Sequence, residues 1–177
     1  MGYLAYEAAG RFEDLPQPPA DPLGLPEACF MSCDTLLVYD HVSHAIKVVS
    51  HVRLDGDIEA AYAEAAARID ELVDRLRQPL PIEVPGARRE APAEPVSNFS
   101  RAGFEECVLK IKDYIAAGEA IQVVPSQRLS QPTQADPFRV YRALRSINPS
   151  PYMFFLDFKD FQIIGASPEI LVRVEDG

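Results

Sequence analysis

The residues with most to offer chemically are Asn148-Pro149-Ser150-Pro151-Tyr152-Met153-Phe154-Phe155, where an amphipathic helix pattern breaks and runs straight into an apolar strand pattern. Two prolines one residue apart remove two backbone donors, fix two φ angles and push Asn148 and Ser150 toward extended conformations. Such backbone is stiff before anything binds, and no helix claims its carbonyl and amide groups. Tyr152 adds an aromatic face and Met153 a soft, adaptable cap. A wall of this kind suits a small zwitterion bearing a flat ring. The same eight residues also satisfy ordinary helix termination followed by strand core, and on their own they do not choose between the two readings.

A second candidate lies upstream in residues 120–129. Read as a strand, its two-residue period puts Gln122, Ser126 and Arg128 on one face and Ile121 and Val123 on the other, provided that a bulge at Pro125 does not flip the register. That polar face could line a site; Gln122 reads equally well as a solvated strand residue and Arg128 as a local ion-pair partner. His41, His44 and His51 are not spaced to converge on a metal, and no Cys or carboxylate pair frames them. Cys29, Cys33 and Cys107 are too few for a disulfide framework and lack the spacing of a zinc site.

The elements that must hold these residues follow from periodicity. Residues 1–9 alternate as a strand, and a Pro-rich loop follows up to Pro26. Residues 35–39 and 45–52 read as a hairpin across Asp40-His41-Val42-Ser43-His44. Residues 57–77 form a helix with a stripe of Ile58, Tyr62, Ala65, Ile69, Leu72 and Leu76, acids early and Arg75 and Arg77 late. Residues 78–97 carry five prolines among small and charged residues, a semi-rigid linker dividing two lobes. A helix over 101–117 is capped by Ser100 and stopped at Gly118. A third helix starts at the Asp136 cap with Pro137 in its first turn and presents Phe138, Tyr141, Leu144 and Ile147. Strands are expected at 152–158, 161–166 and 170–174. No internal repeat is visible, and antiparallel hairpins with packed helices make the fold class α+β.

The chain has 177 residues, a net charge of −10 and 47% apolar residues, a length that suits a domain with a respectable core. The acidic balance argues against nucleic acid and anionic membrane surfaces as partners, since both want clustered Lys and Arg and only Arg88-Arg89 offers any. No apolar run is long enough to span a bilayer and no leader pattern opens the chain, so the expected location is cytoplasmic.

Three blocks in order, 118–128, 148–155 and 165–173, resemble the chorismate-utilising enzymes, most specifically those of the anthranilate synthase component I type. The resemblance extends over Gly2-Tyr3-Leu4-Ala5-Tyr6-Glu7, Tyr39-Asp40-His41, Lys112-Asp113-Tyr114-Ile115-Ala116-Ala117-Gly118 and Tyr141-Arg142-Ala143-Leu144-Arg145. It is weakest at residues 17–33 and 78–97. It implies a partial chorismate-utilising enzyme fold, with 1–97 belonging to an amino-terminal regulatory region and 98–177 opening the chorismate-binding catalytic domain.

The resemblance also implies an activity: chorismate and ammonia, the latter from a glutamine amidotransferase partner (component II), give anthranilate and pyruvate on the route to L-tryptophan. In the chorismate-utilising enzymes that add water, the position matching Gln122 looks to be a lysine that serves as general base. A neutral amide does not deprotonate water near neutral pH, which favours ammonia as nucleophile. Pro151, Tyr152 and Met153 match the family's L-tryptophan feedback site, part of which comes from a Ser-containing motif that this chain lacks. Ser167-Pro168-Glu169 matches a block near the sheet supporting the active site and reads as structural. The family's Mg2+ ligands, catalytic histidine, glycine-rich turn and arginine clamp match positions beyond Gly177. The expectation is therefore an internal fragment, inactive alone, with no catalytic residue and no metal ligand of its own. Aminodeoxychorismate synthase component I, a non-catalytic amino-acid-binding regulatory module and a plain interaction domain are the alternatives.

Overall fold

The computed structural model describes residues 1–16, 20–80 and 93–176. The chain divides into two compact units, Met1–Pro85 and Gly86–Gly177. Residues 81–92 of the expected linker lie outside the described residues.

In the first unit, β1 (Gly2–Leu4) pairs antiparallel with β2 (Ala28–Phe30), and a 3-10 helix spans Tyr6–Arg11. The strand expected over 1–9 is therefore only three residues long. The chain turns at Ala5, whose carbonyl accepts from the Ala8 N–H at 3.1 Å. β2 lies just past the Pro-rich loop, in residues to which the sequence pattern assigns no element, because its partner lies far back in the sequence, where local patterns carry no information about it. β3 (Thr35–Asp40) and β4 (Ala45–Ser50) form the expected hairpin, in register from Thr35 opposite Ser50 to Asp40 opposite Ala45. Its turn is held by the Asp40 carboxylate, which accepts from the Val42 and Ser43 N–H groups and from Lys47 Nζ at 2.8 Å. His44 completes the turn at φ 52.

α1 (Ile58–Arg77) starts at Asp57, whose side chain accepts from the Ala60 N–H, as a cap should. It packs on β4. The packed face differs from the expected stripe: Ala61, Ala65, Arg68, Ile69 and Leu72 are covered, while Ile58, Tyr62 and Leu76 are exposed. Small alanines let the helix approach the strand closely, and Ala65 is only 3% exposed. Arg68 joins in by donating from Nε to Ser50 Oγ at 3.3 Å, and Ser50 Oγ lies 3.1 Å from Thr35 Oγ1.

In the second unit, β5 (Val96–Ser97) pairs with β6 (Leu129–Ser130). α2 (Arg101–Ala116) is capped by Ser100, which accepts from the Gly103 N–H at 3.1 Å, and ends at Gly118 with φ 84, the left-handed geometry that glycine adopts without steric cost. α3 (Pro137–Ile147) is capped by Asp136 accepting from Arg139 N–H at 2.9 Å. β7 (Tyr152–Asp157) and β8 (Gln162–Ser167) form the second hairpin, in register from Tyr152 opposite Ser167 to Asp157 opposite Gln162, and α3 packs on both strands. Phe155 sits edge-on to Phe138 at 5.5 Å and tilted to Tyr141 at 5.9 Å, so the aromatic face of α3 keys into β7.

Two expected strands do not form as such among the described residues. Residues 120–128 are irregular, with Ile121 99% exposed, and only Leu129–Ser130 finds a partner. Pro125 offers no N–H to a ladder, and a strand exists only where another strand receives it. Residues 170–174 are likewise irregular, with Leu171 fully exposed. The buried apolar core of the described residues is Ala8, Ala65 and Leu156, smaller than composition suggested. Each unit buries one layer of helix against one hairpin, and such small units cover little of their apolar surface. The fold class is α+β, with antiparallel strand pairs and helices.

Candidate regulatory site at the double-proline corner

The corner begins where α3 stops. The Asn148 N–H still donates to Leu144 O at 2.8 Å, but Pro149 has no N–H to continue the helix, and Asn148 leaves helical geometry at φ −136 and ψ 70. Ser150, between the prolines, is half-buried and donates its hydroxyl to Ser167 O at 2.6 Å. That bond fastens the corner to the far end of β8. Ser167 Oγ in turn donates to Glu169 O at 2.9 Å, closing a turn through Pro168.

Pro151, Tyr152 and Met153 follow directly. Tyr152 is opposite Ser167 and Met153 opposite Ala166. Pro151 and Tyr152 are exposed and Met153 is half-buried. Among the described residues β7 has one sheet neighbour, β8, so its other edge presents backbone N–H and C=O groups that no strand claims. A strand edge with a fixed conformation, an aromatic ring and a thioether can receive the ammonium and carboxylate of an amino acid along its backbone and a flat side chain against Tyr152 and Met153. No charged side chain lies between Asn148 and Phe155; recognition there would be by backbone dipoles and packing.

Gly165 shapes the same hairpin from the other strand. It lies opposite Phe154, whose ring crosses the space a side chain would fill: a Cβ on Gly165 would stand 2.1 Å from Phe154 Cζ. The missing side chain lets the Phe154 ring cross β8 at Gly165.

The other candidates fall elsewhere in this unit. Gln122 is exposed in the irregular segment, and among the described residues it makes no hydrogen bond. Arg128 is fixed by its backbone: its N–H donates to Asn98 Oδ1 at 2.8 Å and its carbonyl accepts from the Asn98 N–H at 3.1 Å. Among the described residues no hydrogen bond joins Gln122 or Arg128 to residues 151–153. Sequence reasoning missed the roles of Ser150 and Asn98. Asn98 gave no signal, while a hydroxyl held between two prolines was a visible one for Ser150.

The resemblance implied Mg2+. Among the described residues no group of three or more His, Cys, Asp or Glu side chains is placed to hold a metal ion. Also among them, no helix is long and apolar enough to cross a membrane.

Comparison with known proteins is consistent along the whole chain. The chain is 44% identical to anthranilate synthase component 1 of Acetivibrio thermocellus and 43% identical to that of Pseudomonas aeruginosa, each alignment covering 100% of this chain and 37% of the relative. The crystal structure of anthranilate synthase component I from Streptococcus pneumoniae TIGR4 superposes with a TM-score of 0.79 at 34% identity, covering 99% of this chain and 40% of that one. The chain thus spans little more than a third of the length of the curated relatives it matches. The model of the chorismate binding enzyme family matches residues 1–177. This chain belongs to the chorismate binding enzyme family.

Proposed function

We propose that the chain is part of an anthranilate synthase component I, a lyase of L-tryptophan biosynthesis, and that residues 151–153 form part of its L-tryptophan feedback site. The full polypeptide converts chorismate and ammonia to anthranilate, pyruvate and water. Its ammonia comes from a glutamine amidotransferase subunit, its Mg2+ is held outside the residues described, and its compartment is the cytoplasm. Within it, 1–97 belongs to the regulatory region and 98–177 begins the chorismate-binding domain. Gln122, an amide where a water-adding relative has a base, fits ammonia as nucleophile, and Arg128 lines the approach to the site.

The observation that carries this reading is the likeness to anthranilate synthase component 1 over the full length of the chain. The geometry of the corner supports its regulatory half: a stiff, uncharged strand edge beside an aromatic ring and a thioether.

The test is anthranilate fluorescence from chorismate and ammonium in the full-length polypeptide carrying this chain, with L-tryptophan titrated in. The expected result is Mg2+-dependent anthranilate formation that tryptophan suppresses; in Tyr152→Ala and Met153→Ala, each normalised to its own uninhibited rate, half-inhibition moves up by about tenfold, the equivalent of 1.4 kcal/mol of lost binding. Formation of aminodeoxychorismate in place of anthranilate would overturn the activity. Unchanged sensitivity in both variants would overturn the site. Saturable tryptophan binding by the 177-residue chain alone would favour a self-sufficient regulatory module.

A further inference from the structure

The double-proline corner is stiff at both ends, and stiffness decides where a disturbance goes. Pro149 and Pro151 hold their φ angles near one value, so a shift of Tyr152 or Met153 cannot be absorbed by rotation about those bonds. It passes instead to Ser150. The Ser150 hydroxyl is the group that ties this stretch to the opposite strand, donating to Ser167 O at 2.6 Å across 17 residues of sequence in a partly buried setting. Ser167 is also the register partner of Tyr152. Beyond it, the Ser167 hydroxyl donates to Glu169 O at 2.9 Å and lies 3.4 Å from the Glu169 N–H. Two hydroxyls thus run in series from the corner, across the open end of the hairpin, into the segment that leaves β8.

We propose that Ser150 is the positioning residue through which a ligand on residues 151–153 fixes the course of the chain leaving β8, so that occupancy of the corner is coupled to the Ser167-Pro168-Glu169 turn. The inference rests on the reading of 151–153 as an L-tryptophan site. With Ser150 in place, the occupied corner and the turn are ordered together. Without its hydroxyl, the ligand orders the corner alone and its effect on the rest of the protein weakens. Coupling of this kind is the differential free energy of one hydrogen bond between the free and liganded states, worth about two- to tenfold in ligand response.

The experiment compares wild type, Ser150→Ala, Ser150→Thr and Tyr152→Ala in the full-length polypeptide. Each is measured for tryptophan inhibition relative to its own uninhibited rate and for amide hydrogen exchange at Ser167 and Glu169 with and without tryptophan. The expected result is a rise of about two- to tenfold in the half-inhibitory concentration for Ser150→Ala, with loss of the tryptophan-induced protection at Ser167 and Glu169, and restoration of both in Ser150→Thr, which keeps the donor. Wild-type sensitivity and protection in Ser150→Ala, or a Ser150→Thr as desensitised and unprotected as Ser150→Ala, overturns the inference. If Tyr152→Ala desensitises while Ser150→Ala does not, the coupling falls and the tryptophan site stands. If neither Tyr152→Ala nor Ser150→Ala alters the response, the site assignment falls and the coupling with it.

Discussion

The two hairpins with six-residue strands among the described residues are built to one plan and differ in what they bury. In both, a helix with an aspartate cap packs on an antiparallel pair, and an aspartate at the end of the first strand closes the turn: Asp40 on Val42, Ser43 and Lys47, Asp157 on Lys159 and Gln162. The β3–β4 hairpin touches its helix through β4, across small alanines and the polar Arg68–Ser50–Thr35 line. The β7–β8 hairpin touches α3 through both strands, buries Leu156, keys Phe155 into an aromatic pair and lets Phe154 cross Gly165. The first is a generic amphipathic assembly. The second packs along β7 from Phe154 to Leu156, and its open end is tied by the Ser150 hydroxyl to Ser167 O.

Removing packing from each hairpin in turn should affect the two differently. Leu156 is 7% exposed, so Leu156→Ala should cost about 2–5 kcal/mol of unfolding free energy in chemical denaturation. Leu36→Ala, at a half-buried position of β3, should cost less. Equal losses would mean that the two hairpins are packed alike. A smaller effect comes from overfilling: Gly165→Ala sets a methyl against the Phe154 ring and should destabilise by about 1–3 kcal/mol. The Gly165→Ala, Phe154→Ala pair should recover part of that loss, a non-additivity expected of residues in contact. Simple addition of the two single costs would show that the ring has room to move.

The smallest expected effect is on acidification, where the hairpins should behave alike. The Lys47 side chain, then the Ser43 and Val42 amides, hold the Asp40 carboxyl at about 2, below its ordinary 3.8. The Lys159 N–H and the Gln162 side chain lower Asp157 as well. A carboxyl whose folded value is depressed contributes stability that is complete above pH 3.8 and is lost as the pH falls toward 2. Carboxyl NMR titration should show Lys47→Met raising the Asp40 midpoint and leaving that of Asp157 where it was.

The same contrast explains what could be read from the residues alone. The three helices were legible with their caps at Asp57, Ser100 and Asp136, because a helix is specified by neighbours within one turn. Both hairpins were legible because their strands are adjacent in sequence. Residues 120–128 and 170–174 misled because an apolar alternating run states only that a strand could form there; pairing decides it, and Pro125 weakens the ladder further. β2 and β5 escaped for the converse reason, each being two or three residues given strand form by a distant partner. At the corner, residues 151–153 stood out through the prolines, and the Ser150 bond to Ser167 did not, since its acceptor is a backbone carbonyl 17 residues on.

The most direct measurement is amide hydrogen exchange across the full-length polypeptide, with and without saturating L-tryptophan, read at both hairpins. New protection is expected at Tyr152 and Met153 and at Ser167 and Glu169, with the β3–β4 hairpin unchanged between Thr35 and Ser50. Tryptophan inhibition of anthranilate formation without any protection at Tyr152 and Met153 would contradict it.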